Sequence, residues 1–166
     1  MNKKNIVLIG MPGSGKTTIG ERISNNINME LYSIDKCIEK QEGKTVNDIF
    51  QLGEDYFREI ESKFIEYISK KVGVIIDTGG GVIKNPRNIE LLKKNGYIIF
   101  INRPLQNIIK DIDIEHRPLL KDGIEKLHKL YNERYTLYKD YCDYELMNDI
   151  ELDVILTKLK TVIEWT

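Results

Sequence analysis

Short apolar runs alternate with helical patterns along this 166-residue chain. The runs cover residues 6–9, 30–34, 74–76, 97–101 and 144–147, and the third and fourth are nearly continuous Val, Ile and Phe. Continuous apolar runs of this length are typical of strands that are buried on both faces of a parallel sheet. The alternation therefore predicts an α/β fold in which helices connect parallel strands.

The segments between the runs carry apolar residues at helical spacing. Candidate helices cover residues 17–25, 35–42, 54–71, 124–138 and 152–165. Thr45 and Asp48 have the spacing of a capping box, so a short helix should follow them. Asn85 and Pro86 are typical of a helix N-cap and a first helical position. Residues 111–123 are polar and contain Pro118, which predicts a long loop of the kind that often forms a lid.

Composition and charge limit the classes of function. A chain of this length with 41% hydrophobic residues predicts one domain with a sizeable core, covering residues 1–166. A net charge of −1 gives no overall basic field, which disfavours a nucleic-acid partner. Neither a membrane-spanning run nor a signal-peptide pattern is present, so we expect no membrane association. The two cysteines, Cys37 and Cys142, are expected to be free thiols in a reducing, cytoplasmic setting.

A phosphate-binding motif follows the first apolar run. Gly10 is separated by four residues from Gly15, Lys16 and Thr17, which is the spacing of a phosphate-binding loop. Backbone N–H groups of such a loop wrap a polyphosphate, Lys16 reaches the terminal phosphates, and the Thr17 hydroxyl binds Mg²⁺. A helix should begin here, with its positive N-terminal dipole facing the phosphates. The motif therefore predicts nucleotide binding.

Three further features lie where parallel strands end. Asp35 follows the second run, where it could accept a proton from an attacking hydroxyl or cap the next helix. Asp77 closes the third run, where it could hold Mg²⁺ through water or simply be solvated. The triplet of Gly79, Gly80 and Gly81 follows, and it could adopt positive φ beside a ligand or form a flexible turn.

Three arginines are candidates for anion binding. Arg58 lies next to Phe57 and has glutamates four residues before it and three residues after it, a pattern that favours a surface ion pair. Pattern alone places Arg134 on a solvated helix face. Arg117 precedes Pro118 in the predicted lid, where its guanidinium could swing over a transferring phosphoryl group and offset its charge.

Together these motifs resemble the shikimate kinase family over nearly the whole chain and in the family's order. The matching positions are the phosphate loop at 10–18, Asp35, the pair Phe57 and Arg58, the glycine triplet, the lid motif at 117–120, and Arg134. The resemblance implies a three-layer P-loop NTPase fold similar to nucleoside monophosphate kinases. The implied five-stranded parallel sheet has the strand order 2-3-1-4-5, and the implied assembly state is a monomer.

The resemblance also implies an activity: ATP-dependent phosphorylation of the shikimate 3-hydroxyl, with Mg²⁺, in aromatic amino acid (chorismate) biosynthesis. It implies catalytic roles for Lys16, Asp35 and Arg117, an acceptor-binding region at about 33–61 and a lid at about 111–123. The implied ATP-binding residues are Gly13, Ser14, Gly15, Lys16, Thr17, Thr18 and Arg117. The implied acceptor contacts are Asp35, Phe57, Arg58, Gly79, Gly80, Gly81, Pro118, Leu119 and Arg134.

Two positions depart from the family pattern. Ser33 stands where the family usually has the first acid of an Asp-x-Asp motif, and Asp77 stands where the family commonly has a small residue. We hypothesise that Asp77 takes over the binding of Mg²⁺ through water. Adenine contacts are expected from residues 148–150 and from Lys110.

Alternative functions differ in identifiable features. A gluconate-type or nucleoside kinase is the nearer rival, and the glycine triplet with Phe57 and Arg58 favours the shikimate type. A regulatory GTPase fits the Asp-x-x-Gly pattern at 77–80, but the chain lacks the companion Asn-Lys-x-Asp pattern. The presence of Lys16, Asp35 and Arg117 disfavours a noncatalytic binding protein.

Overall fold

The computed structural model describes residues 4–111 and 123–165. One parallel sheet has the strand order β2-β3-β1-β4-β5, and every neighbouring pair is parallel. Its strands are β1 (Asn5–Ile9), β2 (Leu31–Ser33), β3 (Ile75–Asp77), β4 (Gly96–Asn102) and β5 (Tyr144–Met147). The predicted fold class and strand order are confirmed.

The helices follow the predicted pattern with local differences. They are α1 (Lys16–Ile27), α2 (Ile34–Glu42), α3 (Val46–Gln51), α4 (Glu54–Ile68), α5 (Pro86–Asn95), α6 (Leu105–Asp111), α7 (Ile124–Tyr141) and α8 (Leu152–Glu164). The prediction that the fourth helix reaches residue 71 is wrong, because the chain turns after Ile68 toward β3. Sequence reasoning also missed α6 and a 3-10 turn at Val82–Lys84.

Two hydrophobic clusters cover the two faces of the sheet. Val7 and Ile9 point into a cluster with α2, α3, α4, α5 and α7, whereas Ile6 and Leu8 point into a cluster with α1 and α8. This alternation follows from the two-residue period of a strand. The result is the predicted three-layer arrangement, and the carboxyl ends of the strands share one edge, where open parallel sheets bind ligands. None of the described helices is long and apolar enough to cross a membrane.

The capping box predicted before α3 is present. The Thr45 hydroxyl accepts from the Asp48 N–H at 3.1 Å, and the Asp48 carboxylate accepts from the Thr45 N–H at 3.3 Å. The helix that it starts carries Phe50, whose ring stacks on Phe57 of α4 with 4.5 Å between ring centroids. The cap therefore helps to fix an aromatic surface beside the predicted acceptor region.

We expect Thr45→Ala to lower the free energy of unfolding by about 1 kcal/mol, because the N-terminal N–H groups of α3 lose their acceptor. Urea denaturation of the variant and the wild type measures the difference. Thr45→Ser keeps the hydroxyl and is the matched control, with a loss of less than half that of the alanine variant. Equal losses in the two variants would show that the cap is not the cause.

Candidate active site

The phosphate loop, residues 10–17, connects the end of β1 to the start of α1. Gly13 and Gly15 have φ values of 81° and 92°, a conformation that side chains with a Cβ adopt only with strain. Gly15 is also the N-cap of α1, so the positive end of this helix dipole lies at the loop. Lys16 is buried, and its Nζ donates to two carbonyl groups of the loop at 3.0 Å each. The loop is therefore folded as a cradle for an anion.

Asp77 lies beside the phosphate loop at the end of β3. It is only 3% exposed, which excludes strand-end solvation as the reason for its presence. The Thr17 hydroxyl donates to Asp77 Oδ2 at 2.7 Å, whereas Asp77 Oδ1 is buried without a hydrogen-bond partner among residues 4–111 and 123–165. A buried carboxylate oxygen without a partner is costly unless a ligand satisfies it. This pair of oxygen-bearing side chains is thus suited to a hard cation.

Asp35 is the second residue of α2, and Ser33 occupies the N-cap position. The alternative that Asp35 caps this helix is therefore wrong. Its Oδ1 is buried and has no hydrogen-bond partner in the part of the chain that the structure describes. Burial raises the pKa of this carboxyl group, the nearby charge of Asp77 raises it further, and Lys16 and Arg58 oppose the increase. A carboxylate with a raised pKa at the ligand edge of the sheet is suited to act as a general base.

Arg58 forms ion pairs at both predicted helical spacings, but its side chain is only 17% exposed, so they are not the surface pairs that the pattern favours. Its Nη1 donates to Glu61 at 2.7 Å, and the Glu61 side chain is 1% exposed. Its Nε and Nη2 donate to Glu54 at 3.3 and 3.2 Å. The guanidinium carbon also lies 5.6 Å from the ring centroid of Phe50 and 5.2 Å from that of Phe57. The predicted helical spacing of these side chains is confirmed. The spacing does not indicate that α3 packs against this side of α4 and covers it.

Arg134 is buried, at 4% exposure, so its expected position on a solvated helix face is wrong. Its Nη1 donates to the Gly80 carbonyl at 3.1 Å, and the Tyr138 hydroxyl donates to the same oxygen. Burial raises the pKa of Tyr138 to about 12, so this hydroxyl remains a donor at neutral pH. The two side chains of α7 therefore hold the glycine triplet in place.

The glycine triplet is required by close packing rather than by positive φ, which none of the three residues adopts. A Cβ at Gly80 would lie 2.7 Å from Pro12 of the phosphate loop. At Gly81 it would lie 2.0 Å from Arg58 Nη2. At Gly79 it would lie 3.0 Å from oxygens of both Asp35 and Glu61. The expectation of positive φ is wrong, and the flexible-turn alternative does not account for these contacts either.

A cleft of about 430 Å³ is lined by the phosphate loop, α1, α6 and the start of α8. Its lining includes residues 148–150, where adenine contacts were expected, but the described residues that line it do not include Lys110. It also includes Gly15, Thr18, Arg103 and Asn107.

Sequence reasoning did not find Arg103, Glu61 or Tyr138 as members of the site. Arg103 Nη1 donates to the Gly13 carbonyl at 3.2 Å, and its Nη2 pairs with Asp111. Only the position of Arg103, directly after β4 at the ligand edge of the sheet, could have indicated its role. The sequence indicated Glu61 only as a helical-spacing partner of Arg58, and Tyr138 only as the tyrosine four residues after Arg134.

Three predicted site residues cannot be compared with the structure. Arg117, Pro118 and Leu119 lie outside the described residues, as does most of the predicted lid at 111–123. The remaining predicted residues lie along one edge of the sheet. The predicted phosphate-binding residues lie at its centre, and Asp35, Arg58, the glycine triplet and Arg134 lie to one side of them.

A parallel sheet in this order, with a phosphate loop beside a second set of buried charged side chains, defines a P-loop phosphotransferase with two substrate sites. The family model described as shikimate kinase matches residues 12–164. A shikimate kinase from Clostridium botulinum is 48% identical over 161 residues, which are 97% of this chain and 98% of that protein. The chain belongs to the shikimate kinase family.

Solved structures agree with this assignment. Shikimate kinase from Acinetobacter baumannii, solved in complex with shikimate, has a TM-score of 0.90 and 28% identity, covering 97% of this chain and 93% of that one. Shikimate kinase from Aquifex aeolicus has a TM-score of 0.84 and 31% identity, with 96% of each chain covered.

We expect Arg103→Ala to weaken nucleotide binding by a few-fold to about tenfold, because the phosphate loop loses a charge-assisted hydrogen bond to its Gly13 carbonyl. Calorimetric titration with ADP measures the dissociation constant. Arg87→Ala removes an exposed arginine of α5 and is the control, with ADP affinity unchanged. ADP affinity equal to that of the wild type in Arg103→Ala would contradict this role.

Proposed function

We propose that this chain transfers the γ-phosphoryl group of ATP to the 3-hydroxyl of shikimate, giving shikimate 3-phosphate and ADP for aromatic amino acid biosynthesis. The observation that carries the proposal is the pair of arginines, half-buried Arg58 and buried Arg134, beside the glycine triplet and next to the phosphate loop. A phosphate loop alone is common to many NTPases. The second group of side chains supplies the features of an acceptor site for a small hydroxy acid.

The carboxylate of the acceptor is expected to bind between Arg58 and Arg134. A guanidinium has five N–H donors in a planar fork, which suits a planar carboxylate. The pairs of Arg58 with Glu54 and Glu61, and the bond from Arg134 to Gly80, leave part of each fork available and hold both side chains in position. Phe57 is buried beneath the Arg58 guanidinium and contributes an apolar wall.

Asp35 is the proposed general base. A phosphoryl acceptor must lose its hydroxyl proton, and a carboxylate with a raised pKa and an unpartnered oxygen can accept it. Lys16, which now bonds to loop carbonyls, would turn to the terminal phosphates of the nucleotide and offset their charge. Positioning and electrostatic stabilisation supply most of the rate in reactions of this kind.

Thr17 and Asp77 are the proposed residues that hold Mg²⁺, Asp77 through water. The fit rests on the chemistry of the pair, because both present oxygen atoms and Asp77 Oδ1 is buried without a hydrogen-bond partner among the residues described. Ser33, at the position of the missing family acid, is the direct neighbour of Asp77 in the register of β2 and β3. In this chain the carboxylate is therefore on β3, at the position that pairs with Ser33 of β2. When bound, Mg²⁺ neutralises phosphate charge during transfer.

Other parts of the proposal rest on the family resemblance. We propose that residues 1–166 act as a single kinase domain, with an acceptor-binding region at about 33–61. The cytoplasm is the proposed compartment, and the free thiols of Cys37 and Cys142 support a reducing one. A monomeric state, the absence of a nucleic-acid or membrane partner, and the roles of Arg117, Pro118 and Leu119 stay predictions.

An ADP-release assay with shikimate, gluconate and nucleoside monophosphates compared side by side tests the proposed function. Of the three acceptors, we expect only shikimate to give turnover. Asp35→Asn is expected to lower kcat by about 10²- to 10⁴-fold while shikimate still binds. Lys16→Ala is the inactive reference. Faster turnover with gluconate would favour a gluconate-type kinase, and turnover without any acceptor would favour a nucleotide-hydrolysing switch protein.

We expect Asp77→Asn to raise the Mg²⁺ concentration needed for half-maximal rate by about tenfold or more, because the amide has no charge to hold the hydrated ion. Initial rates against free Mg²⁺ at saturating ATP and shikimate give this concentration. Adding Ser33→Asp to Asp77→Asn restores a carboxylate on the neighbouring strand and should recover most of the loss. An unchanged Mg²⁺ dependence in Asp77→Asn would contradict the assignment.

A further inference from the structure

Glu61 of α4 is a buried acid without an assigned role in the reaction. The residue is 0% exposed, and its Oε2 accepts a hydrogen bond from Arg58 Nη1 at 2.7 Å. Its other oxygen, Oε1, is buried and has no hydrogen-bond partner among the described residues. A structural ion pair would be more stable if both carboxylate oxygens of Glu61 accepted hydrogen bonds. The ion pair with Arg58 alone therefore does not explain Oε1.

The surroundings of Glu61 belong to the proposed acceptor site. A Cβ at Gly79 would lie 3.0 Å from Glu61 Oε1 and also 3.0 Å from Asp35 Oδ1, so at most twice that distance separates these two unpartnered oxygens. The charged groups around Glu61 come from three helices: Asp35 from α2, Arg58 from α4, and Arg134 from α7, which also contributes the Tyr138 hydroxyl. Arg58 in turn binds Glu54, which pairs with Lys84.

Proton binding at Glu61 is finely balanced. Burial raises the pKa of its carboxyl group to about 7, and the charge of Asp35 acts in the same direction. The hydrogen bond and charge of Arg58 and the charge of Arg134 act against the increase. A further negative charge placed on these two arginines would shift the balance toward the protonated acid.

We propose that Glu61 takes up a proton when the acceptor carboxylate binds. The inference rests on the proposed acceptor site, because Glu61 and the acceptor carboxylate share the same two guanidinium groups. Two carboxylates in a site with little water repel each other, and neutralising one removes the repulsion. The proton comes from solvent and is held on Oε1, the oxygen that Arg58 does not use.

The direction of the pH dependence follows from linkage. A proton that binds together with the acceptor makes acceptor affinity higher at lower pH, and affinity falls as pH rises through the pKa of Glu61 in the free enzyme. The dissociation constant for shikimate is therefore expected to rise with pH above about 7, by at most about tenfold for each pH unit. Glu61→Gln mimics the neutral acid and should show no such dependence.

Calorimetric titration of the enzyme with shikimate near pH 7.5 in phosphate and in Tris tests the proposal, because these buffers differ in ionisation enthalpy. The difference between the observed enthalpies gives the number of protons taken up. We expect about half a proton or more for the wild type and close to zero for Glu61→Gln. A purely structural role of Glu61 would weaken shikimate binding in this variant without changing proton uptake.

Two further variants identify the group that takes up the proton. Glu54→Gln is the matched control, because Glu54 also binds Arg58 but is partly exposed and has a lowered pKa, so proton uptake should persist. Uptake should also persist in Asp35→Asn. Loss of uptake in Asp35→Asn but not in Glu61→Gln would overturn the proposal.

The wild-type measurement does not depend on the folding of any variant. Shikimate binding without proton uptake would overturn the role of Glu61 and leave the proposed function intact. A wild-type enzyme that did not bind shikimate at all would contradict the proposed function itself, so the two failures are distinguishable.

Discussion

Close packing around the backbone of residues 79–81 is the constraint on which the rest of the site depends. The phosphate loop approaches through Pro12, and α4 approaches through Arg58, at distances that leave no room for a Cβ. Arg134 and Tyr138 of α7 hold the central carbonyl from the other side. Because these contacts converge on one short segment, they link the phosphate loop to the residues of the proposed acceptor site. Such positioning is the main requirement of phosphoryl transfer.

The charges of the site are concentrated in a small buried volume. Asp35, Glu61 and Asp77 each have one buried oxygen without a hydrogen-bond partner in the described structure. Buried carboxylates of this kind reduce stability unless they are neutralised or bound. Their presence at one edge of the sheet is consistent with a site that is completed by its substrates, by Mg²⁺ and by a proton. In this view the three acids have different partners: the acceptor hydroxyl, a proton, and the hydrated metal ion.

The two positions at which the chain departs from the family pattern are adjacent in the fold. Ser33 and Asp77 are neighbours in a parallel register, so a carboxylate on either strand is directed to the same edge of the sheet. The Thr17 hydroxyl donates a hydrogen bond to Asp77, which connects this acid to the phosphate loop. A motif that appears incomplete along β2 is therefore compatible with a complete site in three dimensions.

Local sequence determined much of this protein. The apolar runs, the capping box at Thr45 and the Asn85 and Pro86 start signal depend on neighbours along the chain, and their elements were predicted correctly. Glycine spacing likewise identified the phosphate loop. Tertiary packing alone decided that Arg58 is half-buried and Arg134 buried, because a helical period gives the face of a side chain but not what covers that face. It also decided the reason for the glycine triplet, since the atoms that exclude a Cβ belong to residues distant in sequence.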